Sequence, residues 1–290
     1  MIPPAPDDVG LGAWRREPTT VVRLPAGSSD DTPGPFTILA ESEVPDVPLE
    51  WTPHSHPTHE LVWVRGGTLA SRVGNRVFTV PEGYGLWMPA EVMHAGRLTA
   101  NVEFHNAFFA PDRTPVAFTE PTAIAMSAVL ESLLMYLTRR DLDAAARTRA
   151  EAVVFDVLEP STRQLALRLP GDDRIDAIAE ALLGDSADGR SLDDWARLLG
   201  ISDRTITRAF RRTTGLSFAQ WRQALRIHQA LELLSEGVDV QDAAERLGYA
   251  QPSTFIAAFR RVMGITPGAF FGTLHTAPNV RNPVSVAPKS

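Results

Sequence analysis

From Phe36 to about Phe109 the apolar residues come in short runs broken by Gly and Pro. Runs of this length predict strands at Phe36–Ala40, Leu49–Thr52, Leu61–Val64, Leu69–Val73, Val77–Val80, Gly85–Met88 and Val102–Phe109. Gly66-Gly67 and Gly74-Asn75 supply tight turns between them. Many short strands so closely spaced predict an antiparallel barrel or sandwich. Upstream, residues 1–35 are rich in Pro, Gly, Asp and Ser and read as a loose arm, with one short strand at Thr20–Leu24.

After Pro121 the period becomes helical. Met126, Val129, Leu130, Leu133, Leu134 and Leu137 fall on one stripe, and a second helix is expected from Leu142 to Leu158. This pair either packs on its own barrel or makes a contact between two copies of the chain. Gln164–Asp173 reads as a linker. Beyond it the pattern is helical throughout, with helices expected at 173–183, 191–199, 202–213, 217–236, 240–247, 252–263 and 267–272. Their starts carry legible caps: Ser191 before Leu-Asp-Asp, Ser217 with Gln220 three residues on, Asp239 with Asp242, and Pro267 after Thr266. The segment 276–290 reads as a disordered tail.

The helical part contains a repeat. Leu199–Gly215 (LGISDRTITRAFRRTTG) returns, altered, as Leu247–Gly264 (LGYAQPSTFIAAFRRVMG). Both have a Leu-Gly turn, a Phe-Arg-Arg and a closing Gly, the pattern of a duplicated helix-turn-helix. Trp195, Ala196, Leu198, Leu199, Ile201, Ile206 and Phe210 are expected to form the first small core, and Ala243, Ala244, Leu247, Phe255, Ala258 and Phe259 the second.

Composition narrows the function classes. The 290 residues are 44% hydrophobic and 22% charged, an ordinary globular balance with room for two cores. No apolar run approaches a membrane span, and the opening MIPPAPDDVG does not resemble a signal peptide. With no cysteine there is no disulfide or thiolate chemistry; a cytoplasmic protein is expected. The net charge of −7 argues against nonspecific nucleic-acid coating, yet a local basic face is what decides docking. Lys289 is the lone lysine, so positive charge is almost all arginine. Genomic base composition explains that bias as readily as a need for arginine's two-pronged grip on phosphate and guanine.

On the helix expected at 202–213, Arg204, Thr207 and Arg208 lie opposite Ile206 and Phe210. Such a polar face fits a DNA major groove, where Arg can bond guanine at two points. The corresponding face of the second unit carries Ser253, Thr254 and Ala257, without arginine, which predicts weaker or shape-based reading. Arg211, Arg212, Arg260 and Arg261 suit phosphate contacts. A solvated helix face is the plain alternative for each.

The stretch from about Asp173 to Phe271 resembles the AraC/XylS family of bacterial transcription regulators. The resemblance rests on Ala-x3-Gly at Ala196–Gly200 and Ala244–Gly248, the two Phe-Arg-Arg endings, Trp221-Arg222-x3-Arg226-Ile227, the Ala230–Gly237 segment, Leu-Gly-Tyr followed by Ser-Thr-Phe, and the closing Gly264-Ile-Thr-Pro-Gly268. It implies two helix-turn-helix units joined by one long helix, here about 217–236, reading two successive major-groove segments of double-stranded DNA. Ala257 departs from the pattern, standing where the family often has a long polar reader.

Upstream, His54-Ser-His56-Pro-Thr-His59-Glu60, Gly67, Pro81-x-Gly83 and His94 resemble the cupin metal motif. His54 and His56 share a strand face, Glu60 begins the next strand, and His94 is expected from the strand opposite. Three imidazoles and a carboxylate suit a divalent transition metal such as Ni, Fe, Mn or Zn. The same side chains also fit a hydrogen-bonding pocket for an organic effector. His94 comes later after Gly83 than in catalytic cupins, and Leu98 stands where they have Asn. His59 is expected to face away and His105 to pack within a strand.

The reading is therefore α+β with two domains: an arm (1–35), a cupin-like antiparallel β-barrel that senses (36–120), a helical connector and dimerisation region (121–170), an all-α double helix-turn-helix domain (171–275) and the tail (276–290). The expected function is sequence-specific transcription regulation, modulated by a small molecule or metal in the barrel. Expected partners are DNA, a second copy of the chain and, for an activator, RNA polymerase; no membrane partner is expected. The alternative is a metal-dependent cupin dioxygenase or isomerase with a helical appendix. A third reading is an architectural DNA-binding protein whose barrel only oligomerises.

Overall fold

The computed structural model describes residues 22–24, 36–45, 47–98, 102–116, 118–163 and 165–274. Most of the predicted arm and the predicted tail lie outside the described residues.

Two sheets face each other. One has the order β1 (Val22–Leu24), β3 (Leu49–His54), β8 (His94–Leu98), β5 (Thr68–Val73), β6 (Arg76–Pro81), β11 (Ala166–Arg168). The other runs β10 (Thr122–Ala125), β7 (Tyr84–Met88), β4 (His59–Arg65), β9 (Glu103–Phe109), β2 (Ile38–Glu43). All described pairings are antiparallel except that of β1 with β3. Alternation along each strand sorts its side chains between two faces. On β4, Val62 and Val64 point between the sheets, where they meet Leu69, Phe78, Val80, Leu86, Met88, Leu98 and Phe104. Leu61 and Trp63 point the other way, against α1 (Ala128–Leu137) and α2 (Ala144–Val157).

The strands read from sequence are present with ends moved by a few residues; β8 was expected only as an unbounded strand carrying His94, and β10 and β11 were not expected. The last two alter the predicted organisation. β10 sits in the stretch read as helical connector and β11 in the stretch read as linker, and both are built into sheets. The helical stripe is also corrected. Leu130, Leu134 and Leu137 are buried on the five-stranded sheet, whereas Val129 is 56% exposed.

The rest is helical: α3 (Asp176–Gly184), α4 (Leu192–Leu199), α5 (Asp203–Thr214), α6 (Phe218–Ser235), α7 (Val240–Arg246), α8 (Pro252–Met263) and α9 (Pro267–Leu274). Ser191 with Asp194, and Ser217 with Gln220, close reciprocal capping boxes. Gly200 and Gly248 take φ of +65° and +74°, a conformation that L side chains seldom adopt. A Cβ on Gly248 would also lie 3.0 Å from the Ala187 backbone. These residues turn α4 into α5 and α7 into α8. Leu198, expected in the first small core, is instead 62% exposed, while Trp195, Ile206 and Phe210 are buried as expected.

α6 organises the molecule. Phe218, Trp221 and Leu225 pack with the first helix-turn-helix, and Ile227, Ala230 and Leu231 with the second. A third stripe, His228, Leu231, Glu232 and Ser235, lies against the outer face of β5, β6 and β8. His228 Nδ1 meets Thr79 Oγ1 at 3.1 Å, the Thr68 hydroxyl meets Ser235 Oγ at 2.5 Å, and Arg97 donates to Glu232. Trp221 Nε1 donates to the carbonyl of Arg168 on β11 at 2.7 Å.

Candidate functional site

α5 and α8 are the second helices of the two units. On α5, Arg204 and Arg208 are exposed and Thr207 half-buried, while Ile206, Ala209 and Phe210 face the core. On α8, Ser253, Thr254 and Ala257 are exposed, with Phe255, Ala258 and Phe259 inward. The polar faces thus stand where the 3.6-residue period put them. Arg211, Arg212, Arg260 and Arg261 occupy the last turns and are exposed. Two of these arginines have partners within the chain. Arg212 forms an ion pair with Asp172, and Arg261 donates to Gln223 Oε1 at 3.2 Å. Sequence reading missed a second basic group around α6. Arg190 lies over the Trp195 ring at 3.7 Å, and Arg222 donates to the Arg190 carbonyl at 2.9 Å. The Trp221-Arg222 pair, one of the motifs that carry the family resemblance, was the available signal.

In the β domain the structure brings His54, His56, Glu60 and His94 together. One nitrogen from each of the three histidines lies within 4.8 Å of the others. Glu60 Oε2 is 3.2 Å from His56 Nε2 and 3.6 Å from His94 Nε2. Glu60 shares the inner face of β4 with Val62 and Val64. His94 opens β8 and pairs in register with His54 at the end of β3, after an irregularity between Trp51 and His54. One detail differs from expectation: β3 ends at His54, so His56 reaches the cluster from the loop that follows. His59 is turned away as expected, its Nδ1 accepting from the Ala90 N–H at 2.9 Å and its ring against Trp87. His105 is buried and stacked on Trp63, with ring centroids 5.0 Å apart.

Three backbone contacts set the tautomers. Nδ1 of His54 lies 2.7 Å from the Thr52 carbonyl, Nδ1 of His56 2.9 Å from that of Thr58, and Nδ1 of His94 2.9 Å from that of Val92. A carbonyl only accepts, so each Nδ1 carries a proton and each Nε2 is the nitrogen left to face the cluster. Burial pushes the Glu60 carboxyl up, but hydrogen bonding and charge from His56 and His94 outweigh it and hold it at about 2. Glu60 is therefore a carboxylate. Burial lowers His54 below the usual imidazole value, which keeps its ring neutral at neutral pH.

Comparison with known proteins agrees with this layout. Residues 195–273 match a helix-turn-helix domain, and residues 50–138 an AraC-like ligand binding domain. The HTH-type transcriptional regulator NimR of Escherichia coli is 32% identical over 230 residues, which span 77% of this chain and 83% of NimR. The chain belongs to the AraC family of transcription regulators. RipA of Corynebacterium glutamicum, another HTH-type transcriptional regulator, is 30% identical over 72% of this chain and 61% of its own length. Among solved structures, the DNA-binding domain of AdpA in complex with a target DNA is similar at 30% identity, covering 36% of this chain and 93% of that one, with a TM-score of 0.33. This AraC-family chain has among its described residues no helix long and apolar enough to cross a membrane.

Proposed function

We propose that this regulator reads DNA with α5 and α8 in successive major-groove segments, and that an effector held in the β domain, a small molecule or a metal ion, sets its affinity. Residues 36–120 then sense, 121–170 connect and dimerise, and 171–275 bind DNA in the cytoplasm. One observation carries the reading: α6 holds both helix-turn-helix units and also the outer face of the sensing sheet. A shift in β5, β6 or β8 is thereby a shift of the helix that spaces the two reading heads. An effector need only bind the two arrangements with different affinity to move the equilibrium between them.

The enzyme reading accounts for the His/Glu cluster and leaves the duplicated reading heads without a role. Val129 and Tyr136, seven residues apart on the outer side of α1, are both exposed, and Val153 of α2 is exposed with them. They support a second copy of the chain as the partner at this face, which would set four reading heads on a repeated operator. RNA polymerase would be a further partner if the regulator activates.

Footprinting of the purified full chain on the DNA upstream of its own and neighbouring genes tests the reading. A protected site spanning two successive major grooves is expected. Sequence-independent binding alone would overturn it.

A further inference from the structure

We infer that the loop between α3 and α4, residues 185–191, is a wedge that fixes the two reading heads relative to each other, with Arg226 of α6 as its positioning residue, and so determines how far apart the two DNA segments must lie. This rests on the reading that α5 and α8 occupy successive major grooves. The two helix-turn-helix units have separate cores, and each packs on its own stripe of α6. A shared helix sets how far apart the units stand along its axis. Their tilt about that axis needs a contact from one unit to the other.

The loop supplies that contact. Three side chains at i, i+4 and i+7 on one face of α6 donate to backbone carbonyls that run the opposite way along the chain. Arg222 donates to the carbonyl of Arg190 at 2.9 Å, Arg226 Nε to that of Ser186 at 2.8 Å and Gln229 Nε2 to that of Leu183 at 3.2 Å. The Leu183 carbonyl belongs to the last turn of α3, where carbonyls have no partner within the helix. Arg190, at the far end of the loop, lies over the Trp195 ring, so the loop moves with the core of the first unit.

The other side of the loop meets the second unit. A Cβ on Gly248 would lie 3.0 Å from Ala187 Cα, 3.1 Å from the Ala187 carbonyl oxygen and 3.2 Å from Arg226 Nη2. The turn between α7 and α8 thus rests directly on the loop. Arg226 also lies over the Tyr249 ring, 5.4 Å from its centroid. One guanidinium therefore holds the loop of the first unit by a carbonyl and the turn of the second by an aromatic face. It is half-buried, and burial, with Arg222 after it, lowers it from the ordinary arginine value, while Asp185 and Asp188 offset part of that cost. An arginine kept for phosphate stands in water, as Arg208 and Arg211 do.

The test uses the full chain and a duplex site that it selects from random-sequence DNA, with single base pairs inserted or removed between the two protected segments. One base pair moves a segment by about 3.4 Å and turns it by roughly 35°, since a helical turn holds about 10–10.5 base pairs. Heads fixed to each other cannot follow, and the gain from linkage is lost where geometry forbids both contacts at once. Wild type should lose about tenfold or more in affinity at each single insertion or deletion, out of the roughly 10²–10⁴-fold that linkage supplies. Arg226→Ala should cut that penalty to about threefold or less, because loosened heads adjust to either spacing. Tyr249→Leu, which removes the ring under the guanidinium and keeps apolar bulk beside Phe255, should do the same. Arg208→Ala is the control: weaker at every spacing, with the full penalty. Circular dichroism establishes that the variants fold. A full penalty in every folded Arg226 or Tyr249 variant would overturn the wedge and leave the two heads standing. A wild-type chain indifferent to spacing would instead overturn the two-head reading itself.

Discussion

Arg97 and Glu232 are 135 residues apart in sequence, and Arg97 Nη2 donates to both carboxylate oxygens of Glu232 at 3.2 Å. Both side chains are largely buried, at 18% and 13% exposure, so the contact is screened less than a surface pair. It fastens the six-stranded sheet to the helix between the two helix-turn-helix units.

Arg97→Ala is expected to lower stability by about 1.5–3 kcal/mol, the range for a hydrogen bond to a charged group. A double-mutant cycle with Glu232→Gln isolates the pair from the other contacts these residues make. Urea denaturation measures it. A coupling energy near zero would mean that the pair does not hold the domains together.

Arg208→Ala is expected to weaken specific DNA binding by about 1–3 kcal/mol and to relax base preference in one half of the site. Arg212→Ala should weaken all sequences about equally and flatten the salt dependence. The Arg212–Asp172 pair adds a further outcome: Asp172→Asn frees that guanidinium and should steepen the salt dependence. Affinities over a panel of altered sites and salt concentrations check all three. Unchanged base preference in Arg208→Ala would remove α5's polar face from the reading.

Tyr136→Glu, with Val129→Glu as a second substitution, is expected to shift the chain from dimer to monomer while preserving its fold. Both side chains are exposed, so neither change disturbs the core beneath. Sedimentation at micromolar concentration decides, and a wild-type chain that is monomeric with and without DNA would sink the dimer.

Acidification should loosen the joint between sheet and α6. Burial lowers His228 to about 4, below the ordinary imidazole value of 6.5. The folded chain keeps this ring neutral while the unfolded chain protonates it. The sign follows: stability is unaffected above about pH 6.5, falls as pH drops from there toward 4, and loses nothing further below. At about 1.4 kcal/mol per unit, the loss from this group is roughly 3 kcal/mol at the acid end. Urea midpoints between pH 7 and 4 should show it, with a shallower slope in His228→Gln. An identical slope in that variant would assign the acid sensitivity elsewhere.

The sequence by itself determined the helical half and its chemistry. Caps, turn glycines and a 3.6-residue period are local properties, so Ser217 with Gln220, Gly200, and the outward Arg204 and Arg208 were legible without any contact being known. The four cluster residues were legible as well, because residue type and spacing survive in the chain even where the path between them does not. The bounds of strand β8 were not. Its HAGRL offers a histidine, a glycine and an arginine where an apolar run is sought, and it is a strand because β3 and β5 pair on either side of it. β11 lay hidden likewise, since a three-residue strand exists only through its partner β6. The stripe of α6 that meets the sheet was the least legible of all. His228, Glu232 and Ser235 read as an ordinary polar helix surface, and only the folded chain supplies the Thr79, Arg97 and Thr68 that bury it. Pairings between residues more than a hundred positions apart leave no local period, and they decide here how the β domain is joined to the helix that carries both helix-turn-helix units.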